Sequence, residues 1–512
     1  MWEGWEAGGK GGTRSTAMLG RARRATAKGA DRGRLADTDS GTFEADAGRA
    51  GVTARLSVSI GPWVVEPSPR VLEVSLRFGL PMVLEGRSIC RDLRLNVRPG
   101  TVTLITGPSG SGKSLLLAEF ARQFPTARDV GRLPFPTDVA VLDAVAPTRG
   151  LDEAISILTA CGLGEPMLWV RRFPQLSEGE QFRARLARAV SLHARQRPPA
   201  PLLVDEFGAV LHRRLARAIA FNLRKLARRR GLALVLAAAQ DDLEGDLAPD
   251  IVVRLGDGAP KVTVNDTKKL RSTLMRRYRI ARGALRDYAP FAQMHYRKRD
   301  NLGFIDRVFV LREGTQGLMV GIVVYGRPSL ELALRNAATG GRFVRDAGRL
   351  NREMRVLKRL VIHPDLRGCG LGRHLVERTL PLAGTRFVEC LAAMGEVHPV
   401  FDKAGMRRIG PVRAPATRDE AVSRLAALGV DPLGADFASH VRRRPAVRRI
   451  VAESVFNWYR STTAGGEHRV ARQSASTLAQ TFRQLAGSQP VYFLWARDAR
   501  GWQLIDEQAG GR

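Results

Sequence analysis

The chain has 512 residues, of which 44% are hydrophobic, so it is too long for one ordinary domain and apolar enough for two or three packed ones. No apolar run reaches about 18 residues, so no membrane-spanning helix is encoded, and the four cysteines form neither a CxxC pair nor a zinc-spaced cluster with histidine. The formal charge of +32, carried mostly by arginine, sets up a field that attracts polyanions: nucleic acid, an anionic membrane surface or acidic protein.

Residues 1–65 are rich in Gly, Ala, Arg and Thr, lack periodicity and read as disordered. Acidic residues interrupt what would otherwise look like a transit peptide, and a translation start at Met18 or later reads equally well. From 70 to 262 strands and helices alternate. Val71 to Phe78 and Thr101 to Thr106 read as strands, and Ser114 to Phe124 as a helix. Pro201 to Asp205 and Leu232 to Ala239 are short apolar runs of the buried-strand kind. A second α/β pattern runs from 285 to 412, with strands near 307–311, 318–325, 356–362 and 386–391 and helices near 370–380 and 399–405. Residues 416–512 read as a basic, mainly helical extension, with a helix at Val451 to Tyr459 and a strand at Gln489 to Trp495. The expected fold class is therefore α/β in both domains.

Gly107-Pro-Ser-Gly-Ser-Gly-Lys-Ser114 follows a predicted strand and opens a predicted helix. Glycines at 107, 110 and 112, with Ser109, let backbone N–H groups wrap phosphates. Lys113 reaches the β- and γ-phosphates, and the Ser114 hydroxyl can ligate Mg²⁺. Further on, Leu176-Ser-Glu-Gly-Glu-Gln181 opens an amphipathic helix, and Leu202-Leu-Val-Asp-Glu206 ends a buried strand in two carboxylates. Asp205 is suited to hold Mg²⁺ through water, and Glu206 to orient the attacking water.

This trio resembles the ATP-binding cassette (ABC) ATPases over residues 70–262. The resemblance implies a P-loop NTPase that binds ATP and Mg²⁺ and forms an ATP-dependent homodimer. Ser177 and Gly179 of one protomer would complete the site built on Lys113 of the other, and Phe78 would stack on adenine. Three positions depart from the pattern. Gln240 stands where the family has its switch histidine, His212 where a loop aspartate is usual, and Leu133 to Thr137 contain no glutamine. These departures suit a slow ATP-gated switch better than a transport motor.

A second glycine loop, Arg367-Gly-Cys-Gly-Leu-Gly372, also joins a strand to a helix. Arg367 and the N–H groups of Gly368, Gly370, Gly372 and Arg373 suit a pyrophosphate, and the spacing differs from the G-x-G-x-x-G of dinucleotide folds. With Leu360-Val-Ile-His-Pro-Asp365 before it, Glu389 on the next strand and His398 to Gly405 after it, the segment 285–412 resembles the GNAT acetyltransferases. That resemblance implies acetyl-CoA, or another acyl-CoA, held between the strand carrying Val361 and the strand at 386–391. Glu389, Glu396 or His398 are candidate general bases, and Tyr296 or Tyr325 candidate acids. Cys369, inside the loop, is expected to be open to alkylating reagents.

The two loops and the basic field together predict a cytoplasmic ATPase coupled to acyl transfer onto a nucleic-acid-associated acceptor, DNA or RNA. The alternatives are a nucleic-acid-clamping ATPase with a non-catalytic second domain, an acetyltransferase for protein or small amines, and a transport ATPase serving separate membrane subunits.

Overall fold

The computed structural model describes residues 52–193, 200–239, 241–266, 274–294, 302–314, 317–412, 417–462, 470, 473–487 and 490–509. No helix among them is long and apolar enough to cross a membrane. Strand β1 (Val52–Ile60) falls within the segment expected to be disordered, and its core-facing residues Ala54, Leu56 and Val58 are buried. That expectation is corrected from residue 52 onward.

Residues 59–88 belong to a small compact unit of their own. In it β2 (Trp63–Val64) pairs antiparallel with β3 (Val83–Leu84), and α1 (Pro69–Phe78) lies between them in sequence. Helix α1 replaces the strand expected at Val71 to Phe78. Local chemistry overrode the alternating pattern. The Ser68 hydroxyl accepts the Val71 N–H at 3.2 Å, Pro69 is pre-set for the first turn, and Gly79, at φ +63°, ends the helix. Phe78, the expected adenine-stacking residue, is the last residue of this helix and is 74% exposed.

The remaining described residues form one larger unit. Its first half begins with β4 (Arg87–Val97), which pairs with β1. Next come β5 (Val102–Thr106), α2 (Lys113–Gln123) and β6 (Arg128–Asp129). A helical stretch follows: α3 (Val141–Val145), α4 (Leu151–Ala160), α5 (Pro166–Trp169) and α6 (Glu178–His193). Then β7 (Leu202–Val204), α7 (Arg213–Arg230), β8 (Leu234–Ala238), α8 (Glu244–Leu247), β9 (Ile251–Gly256) and β10 (Gly258–Val264) complete it.

The sheet order is β10-β9-β5-β8-β7-β6, parallel except for β10. Strands β5, β7 and β8 are buried along their whole length, as the unbroken apolar runs of β7 and β8 require, and β5 buries Thr103 and Thr106 with its apolar residues. Asp250 locks α7 to this sheet. Its carboxylate accepts the Val102 N–H at 2.7 Å and both Arg224 terminal nitrogens at 2.5 and 2.8 Å, all in the interior.

The second half is built on a mixed sheet of β11 (Tyr278–Gly283), β12 (Ile305–Glu313), β13 (Met319–Gly326), β14 (Met354–Ile362), β15 (Phe387–Ala392), β16 (Arg407–Pro411) and β17 (Val491–Ala496). Short α9 (Ala289–Ala292) precedes β12. Helices α10 (Ala333–Ala338) and α11 (Ala347–Glu353) join β13 to β14, α12 (Leu371–Thr379) joins β14 to β15, and α13 (Val400–Lys403) precedes β16. The order is β11-β12-β13-β14-β15-β17-β16. The sheet therefore extends beyond 285–412 at both ends: β11 precedes that segment, and β17, from the expected helical extension, is inserted between β15 and β16.

Between β16 and β17 the chain leaves the sheet for α14 (Thr417–Ala427), α15 (Phe437–Arg443), α16 (Pro445–Thr462) and α17 (Ala475–Gly487). These helices share a core that includes Leu425, Phe437, Val451, Val455 and Phe482. Where the chain departs and returns, the Val412 N–H donates to the Pro490 carbonyl at 2.8 Å. Helix α18 (Ala499–Ala509) packs back on α10 and β17.

Candidate functional site

The first glycine loop lies at the C-terminal edge of β5. Gly107 has φ +150°, and a Cβ there would come within 2.3 Å of the Leu255 carbonyl oxygen, so only glycine fits. Gly112, at φ +96°, opens α2 and packs against the Ile89 side chain. Gly110, at φ +76°, faces open space, as do the exposed Ser109 and Ser114. The Lys113 ammonium folds over the loop and donates to the carbonyls of Gly107 at 2.8 Å and Pro108 at 2.7 Å. The Ser111 hydroxyl is buried without a hydrogen-bond partner among the described residues. These features fit a polyphosphate: a cation over a concave loop, an orphan hydroxyl, and the first N–H groups of α2, which no preceding turn can use. Ser114 and Asp205 are the residues that would hold its Mg²⁺.

The neighbouring parallel strands bring the carboxylates to the same edge. Asp205 and Glu206 directly follow β7, and the Asp205 carboxylate accepts the Glu206 N–H at 2.9 Å. Glu206 is exposed and has φ +49°, a left-handed conformation that costs a non-glycine residue about 1–2 kcal/mol. Asp241, just after β8, accepts a hydrogen bond from the Thr106 hydroxyl. Sequence reading missed both Ser111 and Asp241. The signal for Asp241 was its place after a strand that neighbours the loop strand, which only the sheet order reveals. Gln240 lies outside the described residues.

The Leu176–Gln181 segment, the signature segment of the cassette pattern, runs into the start of α6. Ser177 is exposed, and its N–H donates to the Glu180 carboxylate at 2.9 Å. Gly179 meets the loop after Glu206, since a Cβ there would be 3.0 Å from the Val210 carbonyl oxygen. That loop ends at His212, which precedes α7 and makes no side-chain cap.

The second glycine loop is arranged differently from expectation. Arg367 does not face outward. Its guanidinium donates to three carbonyls: Ile362 at 3.1 Å, Met294 at 2.8 Å and Gly164, between α4 and α5, at 2.8 Å. Burial pushes its pKa down. The Gly368 carbonyl accepts from Lys225 of α7 at 3.2 Å, and a Cβ on Gly368 would sit 3.0 Å from the Thr159 carbonyl oxygen. Cys369 is buried, its thiol faces the Ala218 carbonyl of α7, and burial pushes its pKa up to about 12. The expected reactivity of Cys369 is thus corrected. All four cysteines are free and buried, so a thiol reagent should label none of them in the native chain and all four after denaturation. Fast native labelling of Cys369 would show that this contact opens.

The outer half of the loop remains free. Gly370, at φ +92°, faces open space at the start of α12, and Gly372 makes ordinary contacts with Leu360, Ile362 and Val400. Arg373 is half exposed and pairs with Glu377 at 3.3 Å. Beside this loop β14 pairs with β15 only from Met354 to Val356, opposite Phe387 to Glu389, and no ladder joins the rest of the two strands. Val361, on the unpaired stretch, is buried.

Glu389 is corrected as a candidate base. It is buried, one carboxylate oxygen taken by Arg335 at 3.2 Å and the other by the Tyr492 hydroxyl at 3.0 Å. Burial pushes its pKa up, against the pull of Arg335 and Tyr492. Arg335 also donates to the carbonyls of Ser329 and Leu330, so the triad fastens α10, β15 and β17. Tyr325 is buried and bonded to the Thr379 hydroxyl at 2.8 Å. His398 and Glu396 are exposed. Tyr296 lies outside the described residues.

A family model described as an AAA domain matches residues 97–247. The iron-import ATP-binding protein FbpC of Streptomyces coelicolor is 34% identical over 224 residues, 38% of this chain and 60% of that protein. The phosphonates import ATP-binding protein PhnC of Hyphomonas neptunium is 30% identical over 207 residues, 32% of this chain and 77% of that protein. The chain thus spans 60% of the length of its iron-import relative. A solved dimeric structure of the ATP-binding cassette MJ0796 with ADP and Pi aligns over 35% of this chain and 92% of that one, at 20% identity and a TM-score of 0.29. The loop, the signature helix and the paired carboxylates stand in the same order as in the sequence pattern, and on the match to PhnC the chain belongs to the ATP-binding cassette ATPases.

Proposed function

We propose that the chain is an acyl-CoA-dependent acyltransferase whose second domain is governed by the nucleotide state of the cassette, with nucleic acid carrying the acceptor. One observation carries this reading: the loop suited to the acyl-CoA pyrophosphate is fastened to the cassette. Arg367 and Gly368 reach Gly164, Thr159 and Lys225, on or beside α4 and α7. Helix α7 begins directly after the loop that leads from Glu206 to His212.

Lys113 and the α2 N-terminus would hold the triphosphate, Ser114 and Asp205 the Mg²⁺, and Glu206 the attacking water. Two protomers would sandwich two ATPs, Ser177 and Gly179 of each facing the other's Lys113. A change at Glu206 to His212 on dimerisation would shift α7, and with it Lys225 and the loop at Gly368. In the second domain the N–H groups of Gly370 to Arg373 would face the pyrophosphate, and the unpaired stretch between β14 and β15 would take the pantetheine arm. The acceptor amine attacks the thioester carbonyl, its carbon–sulfur bond breaks, and the thiolate takes a proton. His398 and Glu396 are the exposed groups available to move that proton.

The direct test is transfer from labelled acetyl-CoA, with Mg²⁺-ATP, into separated DNA, tRNA and protein fractions, with Lys113→Ala in parallel. Label in a nucleic-acid fraction, lost in the variant, is the expected result. Label in protein or small amines keeps the transferase and removes the nucleic-acid acceptor. No label in any fraction overturns the transferase. Lys113→Ala should itself weaken ATP binding roughly 10- to 100-fold in equilibrium titration, since charge-assisted hydrogen bonds contribute about 1.5–3 kcal/mol. Unchanged affinity would take the nucleotide site elsewhere.

A second reading is favoured by the occupied side chains of Glu389 and Arg367: a nucleic-acid-clamping ATPase whose second domain senses acyl-CoA without turning it over. It predicts acyl-CoA binding that shifts ATPase activity while no label is transferred.

A further inference from the structure

We infer that the exposed arginine face at the junction of α15 and α16 is the nucleic-acid docking surface of this chain. Arg442 and Arg443 end α15, and Arg448 and Arg449 lie in the first turns of α16, with only Arg444 between the two helices. All four are exposed, and none has an acidic partner within ion-pair distance among the described residues. Arg444 differs, since it is half-buried and donates to the Leu428 carbonyl at 3.2 Å.

Nothing within the bundle accounts for this charge. The opposite face of α16 (Val447, Ile450, Val451, Val455) is buried in the core and holds the helix in place. Arginines early in a helix work against its dipole, and α16 has no acidic residue in its first turn to offset them. Glu453, on the same outward face, is already paired with Arg424 at 3.2 Å. Further along, Phe456 is 38% exposed, and the Arg460 guanidinium carbon lies 6.0 Å from its ring centroid.

Guanidinium forks match phosphate oxygens two at a time, and an arginine-flanked aromatic ring is a surface on which bases stack. An anionic membrane is the weaker match, because the apolar face that would enter lipid is used inside the bundle and only Phe456 is added outside it. The occupant is therefore a nucleic acid, bound mainly through its phosphates. The inference rests on the proposed nucleic-acid partner but not on acyl transfer.

The test uses the full chain and a variant with Arg442, Arg443, Arg448 and Arg449 all changed to serine. Fluorescence anisotropy with labelled duplex DNA and with tRNA is measured across a salt series. On duplex DNA the log–log salt slope should become shallower by about 3–4, since each lost phosphate contact removes about 0.9, and tRNA affinity should fall in parallel. ATPase activity without nucleic acid should not change. The four-lysine variant should keep most of the slope, which controls for folding of the serine variant. Unchanged affinity and slope in the serine variant overturn the inference. So does binding to phosphatidylserine vesicles that is lost in the variant while nucleic-acid binding persists. Nucleic-acid binding that depends on these arginines, without label transfer, upholds this surface and removes the proposed acyl transfer.

Discussion

Glutamine in place of Glu206 is expected to cut ATP hydrolysis by about 10²- to 10⁴-fold, the usual contribution of a positioned general base or water-orienting carboxylate. Nucleotide affinity should change little, because the proposed phosphate contacts are those of Lys113 and the glycine loop rather than of the end of β7. With hydrolysis blocked, the ATP-bound dimer should accumulate and be visible by light scattering. A variant that stays monomeric at saturating ATP would remove the sandwich model, and unchanged hydrolysis would move the water-orienting role to another group. The backbone at Glu206 supplies a control. Its φ of +49° is one that glycine adopts freely, so Glu206→Gly should fold at least as stably as wild type while losing hydrolysis. Stability gained as activity is lost is the pattern expected where strain is retained for function.

The second large effect is on stability. Glu389→Ala should destabilise the half of the chain built on the mixed sheet by about 3–5 kcal/mol, because it strands the fully buried Arg335 without a counter-charge. In thermal unfolding that corresponds to a fall of roughly 6–20 °C for a cooperative unit of about 150–250 residues. Replacing Arg335 and Glu389 together by leucine should recover much of the loss, since a buried pair exchanged for apolar side chains is often close to neutral. An alanine variant that melts like wild type and loses only turnover would overturn the fastening role and return Glu389 as a candidate base. The two outcomes are separated by one melting curve.

The elements that sequence made legible are those whose residues carry their own local instructions. Gly107, Gly110 and Gly112 all have positive φ, the strand read at Thr101 to Thr106 is β5, and the carboxylates at 205 and 206 follow β7. What stayed hidden depends on partners distant in sequence. Arg367 meets Gly164 across 203 residues, Glu389 meets Tyr492 across 103, and no local pattern marks either pair. An arginine before a glycine loop and a glutamate on a strand read equally well as ligand contacts or as interior fasteners. Only the fold decides between them. The strand at 491–496 was readable from its apolar run, but its place between β15 and β16 was not, because strand order is set by the whole sheet.

The helical bundle leaves the sheet just after β16 and re-enters it just before β17, and there the Val412 N–H donates to the Pro490 carbonyl beside the paired Pro411 and Val491. Two antiparallel neighbours held that close can be bridged by a turn of a few residues. The bundle thus has the topology of a detachable accessory. Recombination could insert it, exchange it or trim it to a plain hairpin while β16 and β17 kept their pairing, and a new partner could be acquired without redesigning the nucleotide machinery.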